Sequence, residues 1–323
     1  MFRTLSVTTT CLSTALLLSA CSEPTPPETP APVPEMTGTP VAETTSVFAL
    51  SATGMEFHGP SEIPSGWTTF EFINESDMAH FGVVQRLPEG VTTLQQSQEV
   101  GPVFQAGFEL LSQGNIDAAL AEFGNLPAWY GDMISLGGPG LVSGHTSTSA
   151  TVYLEPGNYT IECYVKTGGV FHSYSPDPNE LTMLFPFTVT AEESGAVEPE
   201  ADVTLTLSAD GLALTSGSFT TGEQTVRVDF ADQTVYENFV GHDVHMVSMD
   251  GSTDLATLEA WMDWRTPVGL ETPSPATFIG GLNEMPAGEH GYFTVTLEPG
   301  HYVLISETPE ASAKGLLLEI DVE

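Results

Sequence analysis

Apolar residues alternate along most of this chain. Phe70/Phe72, Val152/Leu154, Val203/Leu205/Leu207, Val226/Val228/Phe230 and Phe293/Val295/Leu297 each put apolar side chains on one face at a period of two, the signature of half-buried strands. Gly and Pro interrupt at short intervals, as turn-rich sandwiches require. One stretch departs from this rule. Phe104/Phe108/Leu111 and Ile116/Leu120/Phe123 follow helical spacing on either side of Gln113-Gly114-Asn115, which predicts a helical hairpin packed on a sandwich. A shorter helix is expected over 254–264.

The pattern occurs twice. Leu154-Glu155-Pro156-Gly157-Asn158-Tyr159 returns as Leu297-Glu298-Pro299-Gly300-His301-Tyr302, each after a Gly-rich turn region, Gly137-Gly138-Pro139-Gly140 and Gly280-Gly281-Leu282. His80-Phe81-Gly82-Val83-Val84 returns as His242-Asp243-Val244-His245-Met246. Each copy closes on an alternating strand, Met183/Phe185/Phe187/Val189 and Leu316/Leu318/Ile320/Val322. A duplicated domain accounts for all of these together. The copies span 46–191 and 201–323, with an acidic linker at 192–200. The predicted fold class is all-β, two tandem Greek-key β-sandwiches with a helical insertion in the first.

The N-terminus has other business. Arg3 precedes an apolar run over 12–18 that is too short to span a bilayer. Leu18-Ser19-Ala20-Cys21 then resembles a bacterial lipobox, which implies cleavage before Cys21, lipidation of that residue and attachment to a membrane. An ordinary signal peptide cut near Ala20 is the other reading. Ser22 in place of Asp implies, by the same resemblance, sorting to the outer membrane of a Gram-negative cell. Residues 21–45, rich in Pro, Thr and Glu, read as a tether.

Composition narrows the function. Of 323 residues 41% are hydrophobic, enough for a core, while 43 Asp+Glu against 6 Lys+Arg give a net charge of −37. That excludes nucleic-acid binding, which needs clustered Lys and Arg, and opposes docking on anionic head groups. No pattern reads as an ATP, NAD or zinc-hydrolase motif. With Cys11 in the signal and Cys21 lipidated, Cys163 is the one thiol left in the folded part. It is a buried thiol, an intermolecular link or a metal ligand.

The order His80, then Cys163 after the LEPG turn, then His172 and Met183 resembles the cupredoxins, in which an early His, a late Cys and a following His and Met hold one copper ion. The resemblance covers both copies. It implies copper bound by His80, Cys163, His172 and Met183 in the first domain; a thiolate, two imidazoles and a weak thioether suit both copper oxidation states. Eight residues separate Cys163 from His172 and ten separate His172 from Met183, both longer than in common blue-copper loops. The first gap is similar to a longer-loop group with Cys-Tyr-Val, Gly and His, matched by Cys163-Tyr164-Val165, Gly168/Gly169 and His172. The second leaves the fourth ligand open, and Asp177 or a carbonyl could replace Met183.

The second copy lacks this set. Ser306 aligns with Cys163 and Leu316 with Met183, no His follows Ser306, and only His242 matches His80; copper is not expected there. His58, His145, His245, His290 and His301 read as ordinary surface or core residues. Enzymatic relatives of the family are not matched: no His-x-His pair occurs for a three-copper cluster, and Glu162 stands before Cys163 where a nitrite reductase would have His. The expected function is a lipid-anchored, non-enzymatic envelope protein that carries electrons to a partner protein or handles copper. The alternative is a metal-free scaffold or adhesive module with Cys163 as a buried thiol.

Overall fold

A computed structural model describes residues 45–323. The expected leader at 1–20, the expected lipidation site Cys21 and nearly all of the expected tether at 21–45 lie outside the described residues. The chain is all-β with a helical insertion. In the first half, β1 (Val47–Thr53), β2 (Glu56–His58), β3 (Glu62–Asn74) and β6 (Thr146–Leu154) form one sheet. The other contains β4 (Val83–Arg86), β5 (Ile134–Ser135), β7 (Gly157–Glu162) and β10 (Leu184–Glu193). Strand β3 belongs to both, since Glu62–Ser65 pair with β10 while Gly66–Asn74 pair with β6. A small hairpin, β8 (Lys166–Thr167) and β9 (Val170–Phe171), follows Cys163.

The second half repeats this arrangement. Its strands are β11 (Val203–Ser208), β12 (Gly211–Ser216), β13 (Gly222–Phe230) and β16 (His290–Leu297) in one sheet. The other holds β14 (Val244–Met249), β15 (Thr277–Leu282), β17 (Gly300–Ile305) and β18 (Leu317–Val322). The parallel pair β1–β3 has its counterpart in β11–β13, and the antiparallel pairs β4–β7 and β7–β10 in β14–β17 and β17–β18. Both LEPG segments join equivalent strands, β6 to β7 and β16 to β17. The alternating residues that predicted these strands are buried: Phe70, Phe72, Val152, Leu154, Val203, Val226 and Phe293 all lie in the core.

The halves are continuous. Strand β16 pairs with β6 through Phe293↔Ala150, so one sheet runs across both copies. The two Gly-rich segments meet there as well. Gly140 N–H donates to the Gly281 carbonyl at 3.0 Å, and a Cβ on Gly140 would stand 2.7 Å from the Gly281 backbone. Backbones this close exclude any side chain. Lys166 adds a polar tie, its Nζ donating to the carbonyls of Trp264 and Thr266 at 2.7 and 2.8 Å while lying over the Phe108 ring.

The helical insertion comprises α1 (Thr93–Glu99), α2 (Gly101–Ser112) and α3 (Ile116–Phe123); α4 (Leu255–Met262) starts at an Asp254 N-cap. The packed face of α3 differs from the expected one. Phe123 is buried as expected, but Ile116 and Leu120 are 61% and 63% exposed and Ala119 is buried in their place. Ala119 lies about 100° from Leu120 around the helix, so the contact stripe keeps Phe123 and turns by about 50° toward Ala119. Among the described residues no helix is long and apolar enough to cross a membrane.

Candidate metal centre

His80 stands three residues before β4, where a network fixes the turn. Buried Asn74 donates to the carbonyls of Met78 and Val142, and accepts from Ser76. The His80 backbone forms a two-way bridge with Val142. Cys163 directly follows β7, and its N–H donates to the Met183 carbonyl at 3.0 Å. His172 is returned to the same end by the β8–β9 hairpin, whose turn Gly168-Gly169 has positive φ at both residues, a conformation suited to glycine. The Glu271 carboxylate accepts both of their N–H groups.

The three side chains converge although His80 and Cys163 are 83 positions apart in the chain. His80 Nδ1 lies 3.4 Å from Cys163 Sγ and 3.3 Å from His172 Nδ1, and Cys163 Sγ lies 3.9 Å from His172 Nδ1. All three residues are fully buried. The point equidistant from the three donor atoms lies about 2.1 Å from each, inside the roughly 2.0–2.3 Å range of imidazole and thiolate bonds to a d-block ion. The donor set therefore fits a metal in a trigonal plane. The remaining ring nitrogen of His172 meets Thr167 Oγ1 at 2.9 Å, the kind of outer contact that orients a ligating imidazole. His80 Nε2 is buried with no hydrogen-bond partner.

Burial sets the protonation. It lowers the imidazoles, His80 to about 4 and His172 to about 3, the latter also through its neighbour His80. It raises the Cys163 thiol to about 12. Without a metal the cluster is neutral at pH 7, with two lone-pair imidazoles ready and a thiol whose proton a metal must displace.

Met183 is buried, takes φ +45, and is hydrogen-bonded to Cys163 through its own carbonyl. Asp177 is exposed and accepts from Asn179, away from the cluster. Four of the other histidines are surface partners: His58 with Thr53, His145 with Asp77, His290 with Glu198 and His301 with Asp321.

His245 is a core residue with both ring nitrogens hydrogen-bonded. It is buried with Asp243 and Glu307, all three offering ligand-type atoms within 4.8 Å of one another. Its Nδ1 accepts the Leu141 N–H, so Nε2 carries the proton and donates to Asp243 at 2.7 Å. Asp243 also accepts from Ser306 Oγ and the Glu307 N–H. This hydrogen-bonded network occupies the end of the second sandwich where the first carries its thiol. Asp243 just before β14 and His245 within it, two residues apart, beside Ser306-Glu307 after β17, were its sequence signal. His242 is held by Tyr236 Oη at 2.7 Å.

No family model matches the chain, and no curated protein matches it. Solved structures similar to it include a dithionite-reduced auracyanin from Roseiflexus castenholzii, with 18% identity, 39% of this chain and 99% of that chain covered, and TM-score 0.28. Auracyanin A from Chloroflexus aurantiacus, a "blue" copper protein, has 19% identity, 45% and 99% coverage, and TM-score 0.26. A multicopper oxidase spans both halves, with 12% identity, 86% and 88% coverage, and TM-score 0.21. At such scores these likenesses have no bearing on the chemistry, which rests on the side chains themselves.

Proposed function

We propose that the first half binds one copper ion through His80, Cys163 and His172, with Met183 as a weak fourth ligand. The protein then carries electrons to a partner protein or holds copper, and is a carrier, not an enzyme. The observation that supports this is the convergence of one thiol and two imidazole nitrogens on a common point. Thiolate and imidazole together favour copper over hard cations. A lipid on Cys21 would fix the protein to the cell envelope, facing the periplasm or the cell surface, with the tether holding the body off the membrane. The acidic surface leaves no role for nucleic acid. Titration of the purified protein with Cu(II) tests the reading: one equivalent should produce an intense thiolate-to-copper absorption band. Absence of that band at full loading overturns it.

A second reading, a metal-free scaffold or adhesive module, draws on the raised Cys163 thiol, which keeps its proton at neutral pH. Membrane fractionation of the Cys21→Ser variant tests the anchor separately, since release of soluble protein is expected only if Cys21 carries lipid.

A further inference from the structure

Behind the metal cluster lies a cavity of about 70 Å³. Glu162 and Tyr164, the neighbours of Cys163, line it, and so do Phe171 and Ser173, the neighbours of His172. Its walls are aromatic: Phe104, Tyr130, Tyr164, Phe171, Phe239 and Trp264. Phe104 alone packs on Tyr130, Phe239 and Trp264 at centroid distances of 5.7, 5.3 and 5.9 Å. Two carboxyls, Glu162 and Glu284, face the same space, and no Lys or Arg lines it.

We propose that this cavity binds a small organic cation of the quaternary-ammonium type. Aromatic faces attract cations whose charge is spread over alkyl groups, most strongly when water is excluded. Burial raises the Glu284 carboxyl above the ordinary carboxylate range, and with no cationic side chain in the lining a bound cation is the charge that favours its ionised form. Glu284 is anchored for this role by Ser135 Oγ and the Gly241 N–H, and Glu162 by Gln96 Nε2. At about 70 Å³ the cavity is smaller than the roughly 150 Å³ that takes a benzene ring, so it suits a compact ammonium head with any tail left at the mouth. The dense aromatic wall favours an alkylated cation over a metal ion, which would need more oxygen donors.

Access is also visible. A shallower depression shares Gln85, Tyr130, Phe239 and Glu284 with the cavity, placing those residues at its mouth. Phe239 has φ +65, a conformation that costs a bulky residue energy and that occurs at ligand clamps.

Calorimetric titration of the metal-free protein with tetramethylammonium and choline, and with 3,3-dimethylbutan-1-ol as the uncharged counterpart of choline, tests the site. The cations should bind at least about tenfold tighter than the alcohol. Equal affinity for the alcohol would mean an apolar cavity only, and absence of cation binding at about 50 mM would mean no site; either result overturns the proposal. Displacement of tetramethylammonium by equimolar Ca²⁺ would also overturn it, by assigning the carboxyls to a metal. Glu284→Gln should weaken cation binding about tenfold and leave the alcohol unchanged; an unchanged cation affinity in a folded variant counts against the proposal. The cation–alcohol comparison on the unaltered protein stands even if that variant fails to fold.

Discussion

Cys163 and Ser306 hold the same position in two copies of one fold. Each donates its backbone N–H at 3.0 Å to the carbonyl of the residue just before the closing strand, Cys163 to Met183 and Ser306 to Leu316. The strand register agrees, with Glu162 opposite Leu184 and Ile305 opposite Leu317. One atom then separates the fates of the two ends. Sulfur faces two imidazoles in the first copy, whereas the Ser306 hydroxyl donates to Asp243 at 2.6 Å in the second.

Cys163→Ser should fold, because Ser306 shows that this position accepts a hydroxyl. The thiolate-to-copper band should vanish completely, while thermal unfolding shows a loss of no more than about 1–3 kcal/mol for a buried hydroxyl with an imperfect partner. A band that survives in the variant would remove Cys163 from the metal site.

Met183→Leu should leave one equivalent of copper bound and raise the reduction potential, because a weak thioether ligand tunes the metal more than it holds it. The changed potential is read by redox titration. Met183 keeps its main-chain bond to Cys163 whichever side chain it carries, so unfolding should shift by less than about 1.5 kcal/mol for this volume-conserving change.

Acid should destabilise the metal-free protein earlier than its carboxylates alone would dictate. The unfolded histidines titrate near about 6.5, whereas His80 and His172 in the folded state titrate at about 4 and about 3. Between these values the unfolded chain binds protons that the folded one refuses. Stability is therefore complete above the unfolded value and falls with pH, by up to about 1.4 kcal/mol per unit for each histidine. The thiol acts in the opposite sense. Cys163 is raised to about 12, so its contribution is lost as pH rises above about 8.5, where the unfolded thiol ionises. Urea midpoints from pH 3 to 10 should pass through a maximum near neutrality.

Gly140→Ala should loosen the junction between the halves. The new Cβ would meet Gly281 main-chain atoms at 2.7 and 2.8 Å, which cannot rotate aside as a side chain can. A loss of about 2 kcal/mol or more is expected in chemical denaturation. An unaltered midpoint would show that the contact yields.

Lys166→Met keeps the length and the apolar stem but deletes an amine that satisfies two carbonyls, those of Trp264 and Thr266. Thr266 keeps the Gly269 N–H as a donor, so the loss is that of the Trp264 carbonyl's partner, about 1–3 kcal/mol, with copper loading unchanged. A thermal midpoint equal to that of the unaltered protein would mean that water replaces the amine.

Much of this protein was legible in its sequence, because the relevant signals are local. Alternation assigns a strand within a few residues, so Phe70/Phe72 and Val226/Val228/Phe230 revealed β3 and β13 without reference to any partner. The duplicated LEPG turns revealed equivalent strands in both copies. The order His80, Cys163, His172, Met183 suggested a site through family resemblance. Only the tertiary structure decided how distant strands meet. Ala150 facing Phe293 joins the copies in one sheet, and nothing in either strand's alternation selects that edge. The exposed Leu120 shows the same limit, since helical spacing defines a stripe but not which neighbour covers it. Asp243, His245 and Glu307 come together because β14 and β17 are hydrogen-bonded neighbours, and the aromatic cavity forms where loops of both copies close over Glu162 and Glu284. Such sites depend on pairings between segments far apart in the chain, and a period of two or of 3.6 carries no information about them.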